Sequence, residues 1–189
     1  MNVTFVSIDV VSIDEDKHSP QDLLDTLDHE LGKEDSDWKI VFAHYPCYSA
    51  GGYPGFNSVR TKVLPIMEKH NVDIYVTGHD HNLQHWATKS ENGIGMLLHH
   101  FYHNGYFSYT HILKILYDFG IDHLVIGAGG ADLYRENNEY VEMNEKLGMK
   151  LKYFGEEFGF GYFSVDKSSL TVQYIGENGN VLYEYSKFK

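Results

Sequence analysis

The stretch Val72-Asp-Ile-Tyr-Val-Thr-Gly-His-Asp-His81 decides the fold. Val72 to Thr77 is short and rich in β-branched and aromatic residues, which reads as a buried strand. Gly78 lets the backbone turn sharply, and two histidines follow at His-x-His spacing. An earlier stretch repeats the design. Lys39-Ile-Val-Phe-Ala43 reads as a second buried strand and runs straight into His44-Tyr-Pro46. Between the two lie a Gly/Tyr/Pro-rich loop (47–57) and a helical pattern over 58–70, built on Val59, Val63, Ile66 and Met67, with Pro65 kinking the helix or starting its second part. Upstream, residues 3–10 alternate as a half-buried strand, and Asp14-Glu-Asp16 follows as an acidic loop. Ser19 then caps a helix that starts at Pro20, carries Leu23, Leu24, Leu27 and Leu31, and stops at Gly32. Two successive strand–loop–helix–strand units predict an α/β sheet whose functional loops gather at the strand C-termini.

Past residue 120 the pattern changes. Ile121–Ile126 reads as a strand leading into Gly127-Ala-Gly-Gly130, and the charged stretch 136–150 reads as loop or loose helix. Tyr162–Val165, Leu170–Ile175 and Val181–Tyr185 alternate as strands of an antiparallel meander, with Asn178-Gly179 marking a hairpin turn. Residues 94–119 are denser in His, Tyr and Phe than their flanks and read as an insertion. Their removal joins Asn92-Gly93 to the next strand through a clean turn.

The 189 residues carry 15 basic and 27 acidic side chains, a net charge of −12. Such a field repels phosphate backbones, which argues against nucleic acid as a partner. It also repels small phosphate esters unless a cation neutralises them locally. Cys47 is the one cysteine, so no intrachain disulfide or cysteine-built zinc cluster can form. No stretch approaches the ~18 apolar residues of a transmembrane helix. The opening residues form a strand pattern rather than a signal peptide, which suggests that an N-terminal portion is missing. Asn2-Val3-Thr4 is a glycosylation sequon should the protein be secreted.

His44, His79 and His81 stand out by position. A lone histidine after a strand is ordinarily a loop residue. Here a His-x-His pair and a third histidine sit at the ends of neighbouring strands, where alternate side chains can face one centre, and this points to a shared metal site. Other candidates carry less. Gly127–Gly130 lacks the Lys-Ser/Thr of a phosphate loop and reads as a tight turn. Cys47 reads as a loop cysteine, His99, His100 and His103 form no ligand spacing, and His85 with Trp86 reads as a packed surface pair.

Phe-Ala-His-Tyr-Pro (42–46) followed by Gly-His-Asp-His-Asn-Leu-Gln (78–84) resembles two of the five motif blocks of calcineurin-like metallophosphoesterases, in the tartrate-resistant (purple) acid phosphatase branch. The resemblance extends to Val3–Asp9, Gly127–Gly130 and the final strands. It implies a partial β-sandwich flanked by helices: an α/β fold of four layers, α/β/β/α, with the N-terminal half missing. Residues 1–189 would be the C-terminal part of one domain. It also implies a phosphate-ester substrate, a secreted or lysosome-like parent, and a dinuclear centre of Fe with Zn, Fe or Mn. In that centre His44 and His79 would bind one metal and His81 the second.

The family's earlier blocks are absent, and with them the bridging aspartate, the tyrosinate, an asparagine ligand and a substrate-facing histidine. Asp9 is no replacement and reads as structural. Tyr53, in the loop where relatives place a substrate-facing histidine, is a candidate phosphate binder through its hydroxyl. Asn82 is a candidate for contact with substrate or for support of the turn. Three imidazoles without a carboxylate bridge suit at most one metal ion. Three readings follow: a metal-dependent phosphoric-monoester hydrolase, inactive if the missing ligands are essential; a non-catalytic scaffold or anchor that keeps the fold; and a single-metal binding module. A sheet left uncovered would also favour self-association.

Overall fold

The computed structural model describes residues 1–17, 19–33, 36–88 and 120–189. The expected insertion at 94–119 lies outside them. Six strands form the first sheet: β1 (Val3–Ser7), β2 (Trp38–Phe42), β3 (Ile74–Thr77), β4 (Leu83–Thr88), β5 (Asp122–Ile126) and β6 (Met149–Gly155), in the order β1-β2-β3-β5-β4-β6. β1, β2, β3 and β5 pair in parallel, while β4 runs antiparallel between β5 and β6. The second sheet is the meander β7 (Gly159–Val165), β8 (Ser169–Gly176) and β9 (Val181–Phe188).

The first sheet is buried on both sides, which explains the unbroken apolar runs of β2 and β3. Val41 and Tyr75 face the helices and join Val10, Ile13, Leu27, Leu31, Val63, Met67 and Trp86 in one core. Ile40 and Ile74 face the second sheet and join Trp38, Leu83, Leu124, Leu170, Val172 and Tyr174 in another. Helices, first sheet and second sheet therefore stack as a mixed α/β sandwich. On the far side of the second sheet Phe160, Tyr162, Val181 and Phe188 are exposed. At the β1 edge Phe5 is 60% exposed, with its ring stacked on Phe42.

Several local expectations change. The first strand ends at Ser7 rather than residue 10, because the Asp9 carboxylate accepts from the Ser12 amide at 3.1 Å and its hydroxyl at 2.6 Å. This cap starts helix α1 (Val10–Asp14), so Asp9 serves structure. Helix α2 (Pro20–Gly32) keeps its expected bounds, but Ser19 sits at φ 54° and makes no side-chain cap bond. The 58–70 pattern resolves into a π-helical turn (Val59–Val63) followed by α3 (Leu64–Lys69). The charged stretch contains α4 (Asn138–Lys146), capped by the Asn137 side chain, and β6. His85 and Trp86 are interior rather than surface residues: as neighbours on β4, which is paired on both sides, they point to opposite faces, and both are buried.

His85 belongs to a polar clamp between the sheets. Its Nε2 lies 2.9 Å from Asp122 and its Nδ1 2.8 Å from the Tyr183 hydroxyl. Asp122 also accepts from Lys187 Nζ at 2.8 Å and from Tyr185. Burial by itself would raise the Asp122 carboxyl. The His85 hydrogen bond and the Lys187 charge outweigh it and hold the group well below the usual carboxylate range.

His123, on β5, lies between the rings of Tyr48 and Tyr75, and its Nδ1 has no partner among the described residues. Burial pushes this imidazole down to about 3. The unfolded chain takes up that proton below the usual histidine value of about 6.5, whereas the fold resists it until near 3. Stability is therefore full above the unfolded value and falls as pH drops toward the folded one. We expect His123→Leu to shrink the loss of unfolding free energy between pH 7 and pH 5 by about 2 kcal/mol, measured by urea titration at both pH values.

Candidate metal centre

Backbone bonds just beyond β2 and β3 bring the two histidine stretches together. The Ala43 amide donates to Val76 O at 3.0 Å, and the Gly78 amide donates to His44 O at 3.2 Å. The parallel ladder thus runs one step past each strand and sets His44 beside the residue after Gly78. His79 takes φ +63°, a left-handed conformation that costs a non-glycine residue about 1 kcal/mol or more. The result is close contact: His79 Nδ1 lies 3.1 Å from His44 Nε2, and the ring centroids are 5.0 Å apart. Two imidazole nitrogens bound to one tetrahedral ion, at bonds of about 2.0–2.1 Å, stand about 3.3 Å apart, so the observed spacing suits a shared cation.

His79 Nε2 is buried and has no partner among the described residues. Burial first, then the neighbouring His44, lowers the His79 pKa against an opposing pull from Asp80. The ring stays neutral at neutral pH, which is the form that ligates metals. His81 is placed differently. Its Nδ1 lies 3.0 Å from the Asp132 carbonyl, and its ring stacks on Tyr134 at 4.6 Å and 11°. Among the described residues no group of three His, Cys, Asp or Glu side chains gathers at one point. The fold brings two of the three expected ligands into contact and turns Nδ1 of the third to a backbone carbonyl, which leaves its Nε2 as the nitrogen able to bind a metal.

The residues between and after the histidines face the other way. Asp80 is fully buried and accepts from the amides of Gly51 at 3.1 Å and Gly52 at 2.9 Å, and from the Ser49 hydroxyl. Gln84 donates to Ser49 and Asn82 at 2.7 Å each and accepts from the Ala50 amide and Trp86. Asn144 closes the group by donating to Ser49 O at 2.7 Å. Asn82 therefore lies inside the protein, bonded to Gln84, and supports the turn rather than facing substrate. Gly127 approaches so closely that a Cβ there would meet Asp80 O at 1.9 Å, so the stretch after β5 packs directly against the histidine block.

Tyr53 does reach the rim, with its ring 4.5 Å from that of His79. Tyr45 and Phe56, stacked on each other at 3.9 Å, back the same histidine at 4.7 and 5.1 Å. Cys47 is fully buried and burial pushes its thiol far up, which excludes a thiolate nucleophile. The reading of the sequence missed Asp80, Ser49, Gln84 and Tyr134. The period-2 alternation of 79–84 signals the inward-facing set, but the loop it holds is distant in sequence.

The sequence model for calcineurin-like phosphoesterases matches residues 2–83, and that for iron/zinc purple acid phosphatase-like C-terminal regions matches 120–184. Purple acid phosphatase 4 of Arabidopsis thaliana is 27% identical over 169 residues, covering 89% of this chain and 40% of that protein. Human tartrate-resistant acid phosphatase type 5 is 23% identical, covering 85% and 41%. The chain thus spans about two fifths of the curated relatives it matches. A purple acid phosphatase from yellow lupin superposes with a TM-score of 0.64 at 20% identity, covering 89% of this chain and 28% of the other. GAP50, the anchor in the inner membrane complex of Plasmodium, superposes with a TM-score of 0.68 at 18% identity, covering 99% and 50%.

Asp80→Ala removes the acceptor for two amides and a hydroxyl at once. We expect it to destabilise the fold by about 2 kcal/mol or more, and hydrogen exchange should show Gly51 and Gly52 losing protection.

Proposed function

Because the chain belongs to the calcineurin-like metallophosphoesterases, in their purple acid phosphatase branch, we propose that it contributes the histidine side of a phosphoric-monoester hydrolase of the acid phosphatase type. The observation that carries this reading is the 3.1 Å approach of His79 Nδ1 to His44 Nε2. The family's dinuclear centre does not fit the described residues. Their nearby carboxylate, Asp80, is committed to Ser49, Gly51 and Gly52, which leaves nothing to bridge two ions. One ion would be held between His44 and His79, and His81, whose Nδ1 faces the Asp132 carbonyl, would still offer its Nε2. Imidazole donors suit zinc better than a hard ferric ion. A metal bound there would polarise a phosphoryl oxygen and activate water.

The chain's own residues would prepare the place. Burial lowers the His79 pKa, the Tyr45–Phe56 stack backs its ring, and Tyr53, with its ring 4.5 Å from that of His79, would offer its hydroxyl to phosphate. The Asp80–Gln84 network fixes the loop that carries Tyr53. By the same resemblance, the compartment of a longer parent is secreted or lysosome-like.

A second reading is favoured by one observation: 99% of this chain superposes on half of a protein named as an anchor. On that reading the histidines are remnants and the exposed sheet surfaces do the work.

Metal analysis and turnover separate the two. We expect the purified chain to bind one equivalent of zinc by isothermal titration and to cleave a chromogenic phosphate ester at mildly acidic pH, with His79→Ala abolishing both. A folded protein that binds zinc without turnover holds the histidine side alone, and one that does neither counts against the hydrolase reading for this chain. The open β1 edge and the exposed Phe160, Tyr162 and Phe188 further predict association in solution. Light scattering that reports a monodisperse monomer counts against it.

A further inference from the structure

Strand β9 carries an inversion that apolar patterning does not produce. Lys187 is 5% exposed between the two sheets, while Phe188, the next residue, is 65% exposed on the outer face. The pairing with β8 shows how this arises. At the hairpin Ile175 faces Val181, but from there Tyr174 faces Tyr183, Val172 faces Tyr185 and Leu170 faces Lys187, so Leu182 is an extra residue bulged into the ladder. An unbulged continuation of the same hairpin would set Tyr174 against Leu182, Val172 against Glu184 and Leu170 against Ser186. Side chains alternate along a strand, so that register would turn Glu184 and Ser186 inward and Tyr183, Tyr185 and Lys187 outward.

The three polar side chains that the bulge brings inward all end on the clamp between the sheets. The Tyr183 hydroxyl lies 2.8 Å from His85 Nδ1. Tyr185 and Lys187 both donate to Asp122, and His85 Nε2 lies 2.9 Å from the same carboxylate. Lys187 also donates to Gly120 O at 2.7 Å. Of the three side chains that converge on Asp122, two therefore belong to β9. In the unbulged register Asp122 would keep His85 alone, and Glu184 would take the place opposite Val172 that Tyr185 now holds. A buried carboxylate would lose its cation and meet a second carboxylate, and both changes are strongly unfavourable.

We propose that Asp122 is a register lock: by gathering His85 from β4 with Tyr185 and Lys187 from β9, it holds β9 in the bulged one of the two registers that the hairpin permits. A buried charge pair adds little net stability over apolar side chains of the same size, so its contribution lies in the choice between packings. Burial of the two tyrosine rings favours the same register, but it does not explain a buried ammonium beside an exposed phenyl ring. The lock does. It also decides which side chains β9 shows to the outside, namely Val181, Glu184, Ser186 and Phe188.

The test uses the full chain with Glu184→Thr as the reference, so that no carboxylate on β9 biases the choice, and reads the β9 amides by NMR. Cross-strand contacts tell the registers apart, because Gln173 lies against position 184 in the bulged register and against Tyr183 in the other. Glu184→Thr alone should give one set of β9 signals with the 173–184 contact. Adding Asp122→Leu and Lys187→Met should leave the chain folded and produce a second set, with the 173–183 contact, at about 10% of the intensity or more. A single set with the 173–184 contact in that variant overturns the proposal and assigns the register to burial of the tyrosines. A second set already present in Glu184→Thr also overturns it, and assigns the register to exclusion of Glu184. If the triple variant does not fold, Asp122→Asn in the same reference, equal in shape but uncharged, decides: a second set supports the lock and a single set overturns it.

Discussion

Parallel pairing of β2 with β3 is the constraint on which the candidate site depends. In a parallel pair the chain ends point the same way, so whatever follows each strand emerges at one rim. The two backbone bonds beyond the strand ends extend that pairing until His44 and His79 touch. Neither histidine contributes to the core, and both are held in place by residues that do. Val41 and Tyr75 lock the strands against the helices, and Ile40 and Ile74 lock them against the second sheet. The left-handed backbone of His79 is tolerated because its neighbours on both sides are so fully determined.

One short block, residues 79 to 84, works on two sides at once. His79 and His81 look out at the rim, while Asp80, Asn82 and Gln84 look in and hold the loop from Ser49 to Gly52. Alternation thus couples the rim histidines to the loop that carries Tyr53. The coupling explains why a fully buried carboxylate is retained in an apolar setting, since its two amides and one hydroxyl offset the desolvation that would otherwise expel it. The glycines at 51, 52 and 127 are required by the same packing, because each leaves room for a group that a Cβ would displace.

The strongly patterned parts were legible in the sequence. β2, β3, α2 and the closing meander follow from apolar runs, helical leucine spacing and the Asn178-Gly179 turn. β4 and β6 were not legible. β4 begins directly at the histidine block, whose His, Gln and Trp residues hide its strand character, and it gains its order from pairing on both sides. The stretch from 136 to 155 is too charged to read as strand, yet β6 needs only one buried edge. Asp9 was rightly placed with structure, although its effect, ending β1 and starting α1, escaped the alternation pattern. At the site, position along the sheet pointed to His44, His79 and His81, and the structure brings the first two into contact. The contacts that occupy His81 and Asn82 come from residues 132–134 and from Gln84, and no periodicity links those partners.

Charge sets the remaining terms. Imidazoles bring no charge to a cation, so an ion held by His44 and His79 keeps its full positive charge at a rim belonging to a chain of net −12. Acidic bridges would hold a metal more tightly but would spend the charge that attracts phosphate. In this chain the one acidic residue between the site histidines is turned inward and spent on backbone amides instead. With such an ion in place the local field at the histidines would oppose that of the whole surface, and over distances beyond the Debye length of about 8 Å the surface field is itself screened. A small phosphate monoester would meet both conditions, because it would reach the cation without spreading charge over the acidic exterior. A long polyanion would not, because most of its charge would lie outside the reach of the ion.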